Sequence, residues 1–418
     1  MSQPPTEKQL RDLSTLLEIS RSMAATTDLE RLLQLIIDQS MVLLDAERAS
    51  LFLYDADNDE LFSRIAAGAN EIRFPADRGV AGSAVKTGQI INVPDAYQDD
   101  RFNPNIDKKT GFRTRSILAV PLCDYEGQLV GVLQILNKRG GPFGEHDEHL
   151  AETLAAQAGV IVQRARLLQH YVEKQRMERA MQLAREIQRN LLPSQSPAAC
   201  GFDIAGFCQP ADETGGDTYD FMLLPGGQWM VVVADATGHG IGPALVIAET
   251  RAILRAVSLQ DSQVSIILQT VNNLLTRDLA DSRFVTCFFG MLDPLAATFT
   301  YASAGHGPLL FYDHANDTWD QENATGLPLG LMEESPYEET LTRKLITGDL
   351  AVITTDGFFE ATNSAGEQFG IERMMELLRE HHELPAAEII ERLRAAVAAF
   401  SAGEAQADDL TAVVIKKR

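Results

Sequence analysis

Two short stretches rich in glycine and aspartate decide the fold of this chain. Residues 215–220 read GGDTYD and residues 235–240 read DATGHG. Between them, residues 229–234 (WMVVVA) form an apolar, β-branched run that predicts a buried strand. This strand would deliver Asp235 to its end, where glycines let the backbone turn tightly before a helix that we expect near Pro243. Carboxylates at a strand end beside glycine turns indicate a site for a hard metal ion.

Two further carboxylate positions follow the same pattern downstream. Residues 350–355 (LAVITT) predict a strand that ends at Asp356, while Asp408 and Asp409 directly precede a predicted strand at residues 410–415. If the strands lie side by side, four acidic positions meet at one rim. Mg²⁺ and Mn²⁺ prefer oxygen ligands, and no Cys or His cluster with zinc spacing occurs in the sequence. The predicted metal is therefore bound by oxygen.

Six motifs occur in a fixed order through the C-terminal half of the chain. They are GGD at 215–217, DATGHG at 235–240, AGHGP at 304–308, GLPLG at 326–330, TDG at 355–357 and DDLT at 408–411. An isolated Asp-Gly or Asp-Asp pair is typical of a turn or a solvated loop, but the ordered set at strand ends favours a functional site. Over about residues 180–418, the set resembles the metal-dependent serine/threonine phosphatases of the PPM family. Within that family it looks like the SpoIIE and RsbU type, bacterial regulators that dephosphorylate anti-anti-sigma proteins.

This resemblance implies an α/β sandwich of two packed antiparallel sheets flanked by helices, with a metal site at one edge. It implies two Mn²⁺ or Mg²⁺ ions, bridged by Asp235 with help from the Ala236 carbonyl. The implied catalytic residues are Asp217, Asp235, Asp356 and Asp408. The implied metal ligands add Ala236 and Asp409, because the sequence does not separate Asp408 from Asp409.

The implied reaction is hydrolysis of phosphoserine or phosphothreonine on a protein, an anti-anti-sigma factor, by a metal-activated water. The sequence lacks the Cys-x5-Arg loop that a cysteine phosphatase requires. Two alternatives stay open: a dimeric scaffold that binds phosphorylated partners without turnover, and hydrolysis of a small phosphorylated metabolite. His239 and His306 lie in glycine-rich loops, where each either holds the loop or takes part in phosphate binding or proton transfer.

Bulk properties narrow the class of protein further. A chain of 418 residues predicts two or three domains. The formal net charge of -23 argues against nonspecific binding to nucleic acid or anionic membrane. Four cysteines without a CxxC pair indicate reduced thiols. Because neither a signal peptide nor an apolar run of about 18 residues occurs, we expect a cytoplasmic protein without nucleic-acid or membrane partners.

The N-terminal part predicts helices followed by an antiparallel sheet. Helical periodicity covers residues 7–25, and Asp28 is typical of the cap of a second helix. Before a helix from about Glu145, the predicted strands lie at residues 50–54, 61–66, 116–122 and 130–136. Over roughly residues 12–165 this order resembles a GAF sensor domain, which we place at residues 1–165 with its N-terminal helix.

A spaced signature within this region points to one class of GAF domain. Asn137, Lys138, Phe143, Asp147 and Glu148 reproduce the pattern of GAF domains that bind cyclic nucleotides in phosphodiesterases and adenylyl cyclases. We expect Lys138 to pair with Asp147 and to hold the loop before the last helix. The domain binds either a cyclic nucleotide or another small ligand, or it serves only in dimerisation.

Residues 166–195 predict a coiled-coil linker helix, which leaves residues 196–418 for the phosphatase domain. Its apolar positions alternate at three- and four-residue steps: Met177, Ala180, Ala184, Ile187 and Leu191. This seam predicts a parallel homodimer, although a single helix packed on a domain would show a similar stripe. The complete predicted fold is α+β and multidomain, with a GAF domain, a coiled-coil linker and a phosphatase sandwich. In this arrangement, the helix at residues 180–192 would carry a GAF signal to the phosphatase.

Overall fold

The computed structural model describes residues 7–63, 72–238, 240–279, 283–337 and 340–418. The chain divides into two compact units, Met1–Arg176 and Met177–Arg418. Among the described residues, no helix is both long enough and apolar enough to cross a bilayer.

The first unit is a six-stranded antiparallel sheet with helices. Its helices are α1 (Glu7–Ala25), α2 (Leu29–Leu43), α3 (Gly79–Thr87), α4 (Pro104–Thr110) and the start of α5 (Glu145–Leu191). Its strands are β1 (Ala46–Asp55), β2 (Glu60–Ser63), β3 (Ile72–Pro75), β4 (Ile91–Val93), β5 (Ile117–Cys123) and β6 (Leu129–Lys138). They pair in the order β3-β2-β1-β6-β5-β4. The predicted helices and strands are confirmed, except that residues 64–66 of the predicted second strand lie outside the described residues.

Helices α1, α2 and α5 cover one face of this sheet. Asp28 caps α2 as predicted, since its carboxylate accepts a hydrogen bond from the Arg31 backbone N–H at 2.9 Å. Gly159 lets α5 approach β5 closely, because a Cβ there would lie 2.1 Å from the Cys123 carbonyl oxygen. Leu154 and Val162 on α5 are fully buried in the same core.

The second unit is a sandwich of two five-stranded sheets. The first sheet, in the order β14-β11-β10-β9-β8, contains β8 (Asp217–Leu223), β9 (Trp229–Ala236), β10 (Val285–Asp293), β11 (Thr298–Ala304) and β14 (Leu341–Lys344). The second, in the order β13-β12-β15-β16-β7, contains β7 (Phe202–Gln209), β12 (Leu309–Asp313), β13 (Thr318–Glu322), β15 (Leu350–Thr354) and β16 (Leu410–Lys417). The helices are α6 (Ile241–Ser258), α7 (Val264–Asp278), α8 (Gly357–Glu360), α9 (Ile371–Glu380) and α10 (Ala386–Ser401).

The two-residue period of β9 explains how the sandwich packs. Met230 and Val232 face outward and join a core with α6 and α7. Val231 and Val233 face inward and meet residues of the second sheet such as Ile353. Both faces of β9 are therefore buried, as its continuous apolar run predicts. Helices α9 and α10 cover the outer face of the second sheet.

Strands β15 and β16 lie side by side, but the strand that carries Asp235 does not join them. Asp235 lies on β9 of the first sheet, whereas Asp356 and Asp408 flank strands of the second sheet. The acidic ends therefore meet across the sandwich rather than along one sheet. Inward-facing strands of both sheets have the same apolar composition, so the local pattern shows where a strand ends but not which sheet it joins.

The predicted linker helix is the C-terminal part of α5, which ends at Leu191 before Pro193. Met177 and Ile187 of the predicted seam are 68% and 55% exposed. Large apolar side chains at helical spacing are usually covered, so Met177 and Ile187 are exposed apolar positions of this single chain, whereas Ala184 and Leu191 are half-buried. The coiled coil itself stays a prediction.

Candidate active site

Antiparallel pairing of β8 with β9 brings two carboxylates together. Asp217 and Asp235 are direct partners in the register of the two strands. Side chains at opposite positions project from the same face of a sheet, with their Cβ atoms about 5 Å apart. Asp217 is only 3% exposed, so one of these two like charges is held almost entirely away from water.

Burial and mutual repulsion raise the pKa values of the carboxylates in this cluster. Burial raises the pKa of Asp217 well above its ordinary range, and the charges of Asp235 and Asp409 raise it further. Burial, followed by the charges of Asp356, Asp408 and Asp409, raises the pKa of Asp235 to about 7. The pKa of Asp356 is also raised, by burial and by Asp408. The predicted acidic residues therefore share one negative environment, although they come from separate elements.

The glycine pair before Asp217 allows a close approach of backbone to the site. A Cβ on Gly216 would lie 2.5 Å from the Ala236 carbonyl oxygen and 3.2 Å from Asp235 Oδ1. The same position is 3.3 Å from the Gly238 carbonyl oxygen. Only glycine leaves these oxygens uncovered, so the sequence keeps a small oxygen-lined space beside Asp235.

Asp408 and Asp409, which the sequence does not separate, have different surroundings. Asp409 is 7% exposed, and its carboxylate accepts hydrogen bonds from the backbone N–H groups of Ala211 at 2.7 Å and Asp217 at 3.2 Å. Asp408 is exposed and accepts from the Asp409 backbone N–H at 2.8 Å. Asp409 thus fastens the loop before β8, while Asp408 presents its charge toward Asp235 and Asp356.

Thr355 joins the two sheets at the site, a role that its place in the TDG motif did not reveal. Its hydroxyl donates to Asp217 Oδ2 at 2.8 Å and accepts from the Thr411 backbone N–H at 3.1 Å. Thr355 is 2% exposed. The hydroxyl therefore orients the Asp217 carboxylate from the opposite sheet.

Asp220, the last residue of the GGDTYD stretch, belongs to a different arrangement. It is 1% exposed, and Arg255 Nη2 donates to its Oδ1 at 2.7 Å while Arg251 Nε lies 3.0 Å from its Oδ2. Asp217 and Asp220 are three residues apart on β8, so they project to opposite faces of the sheet. The four-residue spacing of Arg251 and Arg255 on α6 is the signal from which this pairing could have been predicted.

His306 lies in the interior of the sandwich, while His239 lies outside the described residues. The His306 ring is 3% exposed, with Nδ1 3.2 Å from the hydroxyl of Thr286. Burial lowers the pKa of His306 to about 4, which keeps the imidazole neutral at neutral pH. Its backbone N–H donates to the Ser303 hydroxyl at 3.2 Å, so the geometry of His306 fits the loop-holding alternative.

The residues present fit a hard divalent cation in donor chemistry. Carboxylate and carbonyl oxygens meet beside Gly216, and the raised pKa values of Asp217 and Asp235 reflect negative charge that a cation would balance. Among the described residues, no group of three or more His, Cys, Asp or Glu side chains has the geometry to hold a metal ion. The fit therefore rests on the type of donor and on the unbalanced charge.

A large cavity lies in the first unit. It has a volume of about 750 Å³, and its lining includes four aromatic rings and three guanidinium groups: Phe52, Phe74, Phe102, Phe112, Arg48, Arg78 and Arg101. This volume is typical of small-molecule pockets, which span about 300–1,000 Å³. Arg101 pairs with Asp99, and Arg48 lies over the Phe112 ring at 4.5 Å from its centroid.

The spaced Asn-Lys-Phe-Asp-Glu signature does not line this cavity. Lys138 pairs with Asp147, as predicted, and Asp147 also accepts from the Gly144 backbone N–H at 2.8 Å. Asn137 is fully buried and donates to the Arg113 carbonyl at 2.8 Å. The predicted brace before α5 is thus confirmed.

Comparison with known families agrees with this description of both units. Residues 225–418 match the model of stage II sporulation protein E (SpoIIE), and residues 28–162 match the GAF domain model. The sandwich is thus similar to the SpoIIE family over the segment that contains most of its strands. The chain therefore contains a segment that matches GAF domains, followed by a segment that matches the SpoIIE family. Asp235, Asp356 and Asp408 lie inside the matched segment, and Asp217 lies just before it.

A solved structure supports the fold of the C-terminal unit. The SiaA-PP2C domain of Pseudomonas aeruginosa is 23% identical, with a TM-score of 0.52, and the match covers 58% of this chain and 98% of that chain. At this level of identity, the likeness shows the fold.

The matches between this chain and curated proteins cover only a part of those proteins. The probable 3',5'-cyclic phosphodiesterase pde-5 of Caenorhabditis elegans is 33% identical over 195 residues, which cover 43% of this chain and 26% of the relative. The cGMP-specific 3',5'-cyclic phosphodiesterase of Drosophila melanogaster is 33% identical over 220 residues, which cover 48% of this chain and 19% of the relative. The chain therefore spans about a quarter or less of the length of these relatives.

Proposed function

We propose that this protein is a metal-dependent phosphatase that removes phosphate from serine or threonine of a partner protein under the control of its GAF domain. The observation that carries the proposal is the cluster of crowded carboxylates around Asp235, whose pKa of about 7 reflects burial beside Asp356, Asp408 and Asp409. Such a cluster is unfavourable for the empty protein, and a bound cation would balance it.

Two Mn²⁺ or Mg²⁺ ions would be held by Asp217, Asp235, Asp356, Asp408 and the Ala236 carbonyl. When bound, they supply an activated water and neutralise the phosphoryl oxygens. The residues of the chain fix the positions of these ligands. Thr355 orients Asp217 through its hydroxyl, and the buried carboxylate of Asp409 holds the loop that carries Asp217. We therefore propose that Asp408 is a metal ligand and that Asp409 supports the loop that carries Asp217.

The proposed substrate is a phosphorylated anti-anti-sigma protein. The match of residues 225–418 to the SpoIIE family supports this class of substrate. The exposed position of Asp408 also suits a macromolecular substrate, because the site is accessible at that side of the sandwich.

The proposed ligand of the GAF domain is a cyclic nucleotide. The aromatic rings of the 750 Å³ cavity suit a flat base, and its arginines suit an anionic phosphate. Two curated relatives with 33% identity are cyclic phosphodiesterases, which supports the same ligand class. Because the signature residues form a brace away from the cavity, they would act by holding the domain rather than by contacting the ligand.

We further propose a homodimer through the seam of α5. The exposure of Met177 and Ile187 supports this assembly, since a second copy would cover them. The helix at residues 180–192 would then carry the effect of the GAF ligand to the phosphatase unit, to the extent that the ligand binds one state of the domain better. Deletion of residues 1–165 should remove that response.

Phosphate release from a phosphoserine anti-anti-sigma protein, in Mn²⁺, Mg²⁺ or EDTA, tests the proposed function. The full-length protein should release phosphate only with metal, and Asp235→Ala should abolish release. Asp278→Ala is the matched control, because Asp278 is exposed at the end of α7. Absence of release from the wild type with every metal, with or without cyclic nucleotide, would favour the scaffold alternative. Faster phosphate release from small phosphorylated metabolites than from the phosphoprotein would favour the metabolite alternative.

A further inference from the structure

The last turn of α5 makes a reciprocal contact with the loop that carries Asp217. Gln188 Nε2 donates to the Gly215 carbonyl oxygen at 2.7 Å, and Gln188 Oε1 accepts from the Gly215 backbone N–H at 3.1 Å. Both polar atoms of one side chain thus bind both backbone groups of one residue. A glutamine amide suits this arrangement because it donates and accepts at the same time.

Asp409 lies close to Gly215. A Cβ on Gly215 would lie 2.1 Å from Asp409 Oδ2, so no side chain fits there. The same carboxylate accepts from the Asp217 backbone N–H. The loop before β8 is therefore bound by Gln188 at Gly215 and by Asp409 at Ala211 and Asp217.

The contact is one residue away from the oxygen-lined space of the site. The Gly216 carbonyl accepts from the Ala236 backbone N–H at 2.9 Å, and the Gly216 Cα faces the Ala236 carbonyl oxygen. Asp217 follows directly. A shift of Gly215 would therefore move the backbone beside Ala236 and the carboxylate of Asp217 together.

We propose that Gln188 is a positioning residue of the phosphatase, which holds Gly215, Gly216 and Asp217 in the conformation that the divalent cation requires. The proposal rests on the proposed function, since it concerns the same site. The substitution Gln188→Glu keeps the length of the side chain, but an ionised carboxylate accepts hydrogen bonds without donating any. The substitution Gln188→Leu leaves a side chain that does neither. The two substitutions thus remove one or both halves of the contact with little change in volume.

The test uses the full-length protein and three variants: Gln188→Leu, Gln188→Glu and the control Gln182→Leu. Gln182 is exposed on the same helix, before the contact. Mn²⁺ binding is measured by isothermal titration calorimetry, phosphate release is measured against Mn²⁺ and phosphoprotein concentrations, and amide hydrogen exchange follows residues 211–217. Calorimetry and exchange do not depend on turnover.

Gln188→Leu should weaken Mn²⁺ binding about tenfold, as expected for the loss of two hydrogen bonds of ordinary strength. Gln188→Glu should weaken it less, because its added negative charge favours a cation while the loss of the donor loosens Gly215. The KM for phosphoprotein should stay near that of the wild type at saturating Mn²⁺, and exchange of the Gly215 amide should accelerate. Gln182→Leu should match the wild type in every measurement.

Wild-type Mn²⁺ affinity in both Gln188 variants would overturn the proposal, even if exchange of Gly215 accelerates. If Gln188→Leu fails to fold, Gln188→Glu decides by the same criteria. A wild type that neither binds Mn²⁺ nor releases phosphate would contradict the proposed function itself. That result is distinguishable, because in it the control and the wild type fail together.

Discussion

Two buried aspartates on strand β8 differ in the charges that surround them. Asp217 and Asp220 are 3% and 1% exposed. Asp220 is neutralised by Arg251 and Arg255 of α6, whereas Asp217 faces the carboxylates of Asp235 and Asp409. A buried charge is stable only when a partner balances it. The face of the sheet that carries Asp220 meets the arginines of α6 and is thus a packing interface. The face that carries Asp217 is the candidate metal site.

The first unit contains another buried aspartate whose charge is balanced by a basic side chain. Asp147 is 6% exposed and pairs with Lys138. Its role in the brace before α5 parallels that of Asp220 beside α6. Burial alone therefore does not mark a functional aspartate, while burial beside other carboxylates does.

The largest expected effect comes from removing the structural aspartate. Asp220→Ala should lower the free energy of unfolding by about 3 kcal/mol, because it removes the counterion of the largely buried Arg251 and of the partly exposed Arg255. Chemical denaturation in EDTA measures this. The control is Asp278→Ala, which should change stability little. A variant of Asp220 that is as stable as the wild type would break the distinction between the two aspartates.

Removing the functional aspartate should affect activity rather than stability. Asp217→Asn should lower Mn²⁺-dependent phosphate release more than about a hundredfold, since even the support of a metal ligand is commonly worth 10–100-fold. Its unfolding free energy in EDTA should equal or exceed that of the wild type, because the substitution relieves repulsion with Asp235. Retention of most activity, or a large loss of stability, would contradict the assignment of Asp217.

The strands and the acidic motifs of this site could be predicted from the sequence, but its supporting contacts could not. Each strand has a local apolar pattern, and each motif places its aspartate at a strand end. The pairing of Thr355 with Asp217 crosses the sandwich and depends on the order of strands in two sheets. The hold of Gln188 on Gly215 joins residues from separate elements. Local periodicity contains no information on either contact.

The first unit shows the same division between what was predicted and what was not. Its main helices, the cap at Asp28 and the pairing of Lys138 with Asp147 follow from short-range patterns. Strand β4 has only three residues, Ile91–Val93, which is too short for a pattern of alternation. The cavity formed by side chains from several elements becomes apparent only once the sheet order is known.

The stability of the metal-free protein should also depend on pH. Asp235 has a pKa of about 7 in the folded protein and about 4 when unfolded. Between these values the folded state binds more protons, so the stability of the protein in EDTA should fall as the pH rises from about 5 to 7. Asp235→Asn should reduce this slope, as thermal unfolding at several pH values can show. An unchanged slope would indicate that Asp235 is not part of a crowded acidic cluster.

The carboxylates around Asp235 should form a site for divalent cations. Isothermal titration calorimetry of Mn²⁺ into metal-free protein at neutral pH tests it most directly, with wild type, Asp235→Ala and the surface control Asp278→Ala. We expect two Mn²⁺ ions to bind to the wild type and to the control. In Asp235→Ala, the affinity for Mn²⁺ should fall more than about a hundredfold. Equal Mn²⁺ binding by all three proteins would contradict it.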